Sequence, residues 1–132
     1  MTVYADTYAL IGWLSPRDAA HPRVVEYLNT FTGRLVTTEW VLMELAYALS
    51  FPETRQATAS FLKRIREDRG FHIVGYDVAV YAAGFDLYVS RPDKAWSLTD
   101  CISFTVMKEF GLTDALTADH HFEQAGFRAV FR

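Results

Sequence analysis

Cysteine is almost absent from this chain. The single Cys101 cannot form an internal disulfide and offers no thiolate cluster for zinc, which fits a reducing compartment. Long apolar runs are missing too. The longest stretches meet a charge or a turn within a few residues, as Trp40 to Met43 do before Glu44, so none nears the roughly 20 residues that span a bilayer. The opening Met1-Thr2-Val3-Tyr4-Ala5-Asp6 lacks the basic and uninterrupted apolar regions of a signal peptide, so the expected location is the cytoplasm, with no membrane partner. No low-complexity segment, internal repeat or linker divides the chain. A basic surplus is lacking as well: the formal charge is −3, which runs against the clustered Lys and Arg that phosphate binding draws on. Lys63, Arg64, Arg66 and Arg69 do share one helical stretch, but Glu67 and Asp68 lie in it too, and a solvated face is the plainer explanation.

What is present is core-forming material. With 51% hydrophobic and 15% aromatic residues in 132, the chain can bury one real core, and residues 1–132 are read as one domain. Val3 to Ala5 reads as a strand, Thr7 to Leu14 as a helix, and a second helix begins near Pro22 and ends by Gly33. A strand over Leu35 to Thr37 leads into a helix from Thr38 to about Ser50. Phe51-Pro52 breaks it before another helix, which carries Phe61, Leu62 and Ile65 and ends at Gly70. After a strand from Phe71 to Val74, Asp77 can cap a helix with Val78, Tyr81, Ala82, Phe85 and Val89 as its apolar stripe. The loop from Asp93 to Leu98 precedes a helix over Thr99 to Phe110. A strand from Asp114 to Thr117, a short helix from Asp119 to Gly126 and a strand from Phe127 to Phe131 complete the chain. Short apolar strands alternating with helices predict an α/β fold with a parallel sheet covered on both faces.

Four acids stand out. In open α/β sheets ligands bind beyond the carboxyl ends of the strands, where Asp6 and Asp119 fall. Each also precedes a helix, so capping explains either one alone. Glu44 is the only charged residue from Trp40 to Leu49, and an all-round apolar helix is expected to be buried. A buried carboxylate needs a partner, either an Arg or Lys or a metal. Asp100 poses the same question at the head of its helix, where Thr99 can serve as the cap and leave Asp100 free. Two carboxylates about 4 Å apart repel by roughly 4 kcal/mol at an effective dielectric near 20, so such a cluster takes up protons or binds cations. All-oxygen ligation suits Mg²⁺ and Mn²⁺, the setting for phosphodiester hydrolysis.

The sequence resembles PIN-domain proteins of the VapC toxin type. The likeness is carried by the strand ending in Asp6-Thr7, Glu44 in its apolar helix, the segment Asp93-Lys94-Ala95-Trp96-Ser97-Leu98-Thr99-Asp100-Cys101-Ile102-Ser103-Phe104, and Leu116-Thr117-Ala118-Asp119-His120-His121-Phe122 with Gly126-Phe127 beyond. The resemblance implies a three-layer α/β fold around a five-stranded parallel sheet flanked by helices, Mg²⁺ or Mn²⁺ as cofactor, and cleavage of single-stranded or structured RNA. It places Asp6, Glu44, Asp100 and Asp119 in the catalytic metal site, with Thr7, Thr99 and Thr117 in support. It also implies a two-fold homodimer held inactive by a small antitoxin whose tail covers the acidic groove. Lys94 meets a substrate phosphate or is simply solvated, and Asp93 serves the site or only its turn.

His120 and His121 read as surface residues sent to different helix faces by their adjacency, and Cys101 as a small core residue. Trp13 and Trp96 fall mostly at core spacing, with base stacking the other role open to them. A haloacid-type phosphatase would want Asp at position 8, which is Tyr. A receiver-like signalling domain leaves Glu44 unexplained. The stronger rival is a catalytically silent PIN-like domain that binds RNA or a protein partner.

Overall fold

The computed structural model describes residues 1–132. In chain order the elements are β1 (Thr2–Ala5), α1 (Thr7–Leu14), α2 (His21–Thr30), β2 (Arg34–Thr38), α3 (Glu39–Ala48), α4 (Pro52–Glu67), β3 (Phe71–Val74), α5 (Val78–Ser90), α6 (Leu98–Glu109), β4 (Asp114–Leu116), α7 (His120–Gln124) and β5 (Arg128–Ala129). The strands form one five-stranded sheet in the order β3-β2-β1-β4-β5, and every pairing is parallel. Parallel neighbours need a crossover between them, which the intervening helices supply.

The central strand shows why the sheet is covered on both faces. Val3, Tyr4 and Ala5 point alternately to its two sides, yet none is more than 1% exposed. The core around them joins Leu10, Leu45, Phe61, Ile65, Phe104, Met107 and Phe122. From β1 the chain winds one way to β2 and β3, then returns to lay β4 and β5 on the other side of β1. That reversal puts a topological switch point between β1 and β4, where the loops beyond the strand ends diverge and leave a crevice.

Helix ends follow local chemistry. Pro52 begins α4, where its missing N–H costs nothing. Gly111 and Gly126 take positive φ of 67° and 95° after α6 and α7. There Leu112 N–H reaches Met107 O at 2.8 Å and Phe127 N–H reaches Phe122 O at 3.0 Å, closing both helices with the six-to-one bond that needs a left-handed residue. No helix is long and apolar enough to cross a membrane.

Four expectations need correction. The stripe Val78, Tyr81, Ala82, Phe85 and Val89 faces solvent, with Val78 83% and Val89 60% exposed. Helix α5 instead packs on α6 through Gly84, where an added Cβ would lie 2.5 Å from Ile102 Cγ1, so the absence of a side chain lets the two backbones close. Helix α3 is not buried all round: Val41, Leu42 and Leu45 face the core, while Met43, Glu44 and Tyr47 are exposed. Thr99 does not cap α6. Ser97 does, and the expected long last strand narrows to Arg128–Ala129. The basic residues of α4 are exposed as expected, with Arg66 paired to Glu39 at 2.7 Å.

Candidate metal centre

Strand β1 ends at Asp6 and its neighbour β4 runs into Thr117, so the sheet itself brings together residues 111 positions apart. Asp6 occupies the cap position of α1 but makes no side-chain capping bond. Its Oδ2 accepts instead from the buried Thr117 hydroxyl at 3.0 Å. The same Thr117 oxygen accepts from Asp119 N–H at 3.1 Å, which ties the next acid to the strand end. For Asp119 the capping explanation holds in part, since Oδ1 accepts from His121 N–H at 2.9 Å.

Asp100 reaches the site from the first turn of α6. Its N–H donates to Ser97 Oγ and its Oδ2 accepts from Ser97 N–H, both at 3.0 Å, so it closes a capping box rather than standing free of the cap. Glu44 arrives from α3 on an exposed position, with Oε1 accepting from the Thr7 hydroxyl at 2.5 Å. The burial cost that singled out Glu44 in the sequence therefore does not operate. What places it here is the hydroxyl directly after Asp6. Each acid is held through one oxygen, and Glu44 Oε2, Asp100 Oδ1 and Asp119 Oδ2 remain without a protein donor.

The acids also interact electrostatically. Burial, with the nearby charges of Asp100 and Glu44 adding to it, pushes the Asp6 carboxyl up to about 7, against the Thr117 hydroxyl bond that favours ionisation. Asp100 is raised as well, first by burial and then by Asp119. No Lys or Arg relieves this repulsion, because the arginine pairs all lie elsewhere: Arg66 with Glu39, Arg91 with Asp93, Arg128 with Asp114 and Arg132 with Glu123. Like-charged carboxylates with outward lone pairs, whose only basic neighbours are the imidazoles of His120 and His121, are a donor set that fits a divalent cation.

Sequence reasoning missed His121. Its Nδ1 lies 3.2 Å from Asp119 Oδ1 and 3.5 Å from Asp100 Oδ2, and only 19% of its side chain is exposed. Nor do the two histidines diverge, since their ring centroids are 4.3 Å apart. The Asp119-x-His121 spacing was the available signal, because a capping Asp folds the chain so that the second residue after it turns back toward the carboxylate. The only three ligand-type side chains with donor atoms all within 4.8 Å are Asp119, His120 and His121. The other acids stand somewhat further apart.

Several candidates fall outside the cluster. Asp93 forms a two-pronged exposed pair with Arg91, which holds its carboxyl down at about 2. Lys94 lines a separate crevice with Tyr88, Arg91 and Trp96. Thr99 makes no side-chain hydrogen bond to the acids, and Cys101 is a buried free thiol. Neither tryptophan is placed to stack a base: Trp96 is 6% exposed with Nε1 on Gln124 Oε1, and Trp13 packs between Phe61 and Phe71.

A doubly covered parallel sheet with carboxylates gathered at its switch point defines a class, and the family model described as the PIN domain matches residues 3–128. The chain belongs to the PIN-domain family. Its fold is that of a VapC-type PIN domain: VapC20 of Mycobacterium tuberculosis, described as a sarcin-ricin loop cleaving toxin, superposes with a TM-score of 0.89 at 22% identity over 97% of this chain and 98% of that one. FitAcB from Neisseria gonorrhoeae follows with 0.68 at 20% identity, over 98% and 96% of the two chains. VapBC2 from Rickettsia felis, bound to a DNA fragment from their promoter, gives 0.67 at 14% identity over 94% and 92%. No protein of curated function shows a significant sequence match.

Proposed function

We propose that residues 1–132 form one PIN domain acting in the cytoplasm as a metal-dependent endoribonuclease, the toxin of a toxin–antitoxin pair. The observation that carries this is the meeting of Asp6, Glu44, Asp100 and Asp119 at the β1/β4 switch point with no Lys or Arg to neutralise them. These four would hold Mg²⁺ or Mn²⁺, which supplies charge neutralisation at the scissile phosphate of RNA. Thr117 orients Asp6 and the Asp119 backbone, and Thr7 orients Glu44. Such anchoring keeps the free oxygens turned toward the cation. Thr99 stands beside Asp100 in the turn that Ser97 closes, and Lys94 is the loop cation offered to a substrate phosphate. The likeness in fold to a toxin described as cleaving the sarcin-ricin loop favours structured RNA as substrate.

A small antitoxin would cover the acidic groove, with a basic side chain facing the carboxylates in place of the metal. The homodimer would use the solvent-facing apolar residues of α3 and α5. Met43 and Tyr47 are 59% and 83% exposed, and Trp40 links α3 to Tyr81, which stacks on Phe85. Cleavage of total and single-stranded RNA by the parent and by Glu44→Gln, with EDTA, Mg²⁺ or Mn²⁺, tests the enzyme reading. Cleavage should need the cation and fall sharply in the variant. RNA bound but never cut under any of these conditions would favour the silent, RNA-binding alternative.

A further inference from the structure

His121 Nδ1 is the one buried side-chain polar atom in the molecule without a hydrogen-bond partner. Buried nitrogens are normally paired, so an orphan calls for a cause. Its nearest polar neighbours are Asp119 Oδ1 at 3.2 Å and Asp100 Oδ2 at 3.5 Å, and it makes a hydrogen bond to neither. A lone pair on Nδ1 facing two carboxylate oxygens is repulsive, and a cation relieves it, either a proton on the ring or a metal ion beside it. Around an octahedral ion with ligands near 2.1 Å, adjacent donors are about 3 Å apart, close to the Asp119 separation, and His121 and Asp119 belong to the group whose donor atoms all lie within 4.8 Å.

The short helix fastens this arrangement. Asp119 Oδ1 accepts from the backbone N–H of His121, so the imidazole springs from a residue already tied to the acid it faces. His120 is differently placed. Its side chain is 51% exposed and its Nδ1 lies 3.7 Å from Asp119 Oδ1, on the solvent side of the cluster.

We propose that His121 Nδ1 is a direct ligand of the bound cation beside Asp119, making the donor set mixed nitrogen and oxygen and biasing the site toward Mn²⁺ over Mg²⁺. Imidazole suits first-row transition ions, whereas Mg²⁺ demands oxygen and parts reluctantly with water. The inference rests on the metal-dependent reading above.

Mn²⁺ itself is the probe, bound to the full chain and followed by pulsed EPR, with Mn²⁺ and Mg²⁺ affinities from calorimetry. The parent should show coupling to a nitrogen that changes when histidine is ¹⁵N-labelled. That coupling should vanish in His121→Gln and persist in His120→Gln, and the Mn²⁺-to-Mg²⁺ affinity ratio should drop about tenfold in His121→Gln. If His121→Gln does not fold, His121→Asn takes its place, and coupling that vanishes in His120→Gln instead also overturns the assignment. Mn²⁺ bound by oxygen alone, or coupling that survives His121→Gln, overturns the assignment and leaves the metal-dependent reading standing. A parent that binds no Mn²⁺ overturns both.

Discussion

Replacing Asp6 by Asn should make the metal-free protein more stable above neutral pH, and the size of the gain follows from the site. Burial first, then Asp100 and Glu44, raises the carboxyl from the ordinary 3.8 to about 7. About three pH units at 1.36 kcal/mol each is roughly 4 kcal/mol. Because the folded-state value is raised, the native protein holds this proton more tightly than the unfolded chain. The resulting stability is complete below about pH 4 and is lost as pH rises through about 7. Asn keeps an oxygen for the Thr117 hydroxyl but cannot ionise, so it escapes that loss. Melts of parent and variant in EDTA should therefore coincide near pH 4 and diverge to on the order of 10 °C by pH 8. Excess Mn²⁺ should reverse the order at pH 8, because only the parent gains a strong ligand. A difference that stays flat from pH 5 to 8.5, or a variant less stable than the parent at pH 8 in EDTA, would refute the reasoning.

Three further outcomes are expected. Gly84→Ala should force α5 off Ile102, whose Cα lies 2.9 Å from the added Cβ, and lower stability in urea by about 1–3 kcal/mol. Phe85→Glu, on the exposed face of α5, should leave the melting temperature nearly unchanged while light scattering shows a monomer; a surviving dimer would place the interface elsewhere. Asp93→Asn breaks only the surface pair with Arg91, so RNA cleavage and thermal stability should stay at the parent level, and a loss of cleavage would return Asp93 to the site.

Much of the candidate site was legible because its signals are local. Asp6 and Asp119 stand where an apolar strand gives way to a helix, and that transition is written in neighbouring residues. Glu44 was picked out for a burial it does not have. The apolar count of α3 is real, but part of it faces solvent, as Met43 and Tyr47 do. The same ambiguity misled the reading of α5. A helix that is apolar on most sides has no single face marked for the core, and close packing at Gly84, beside the partly buried Val80 and Leu87, chose the side that meets α6.

The sequence by itself determined the alternation of strands and helices, the glycine-closed helix ends and the acids at strand termini, since periodicity, capping and turn formation depend on residues a few positions apart. Only the tertiary structure decided that β4 lies beside β1, so that Thr117 bonds Asp6 across most of the chain, and that His121 comes to rest between Asp100 and Asp119. Those meetings depend on sheet order and on how closely helices approach, and both are set by packing the whole core at once.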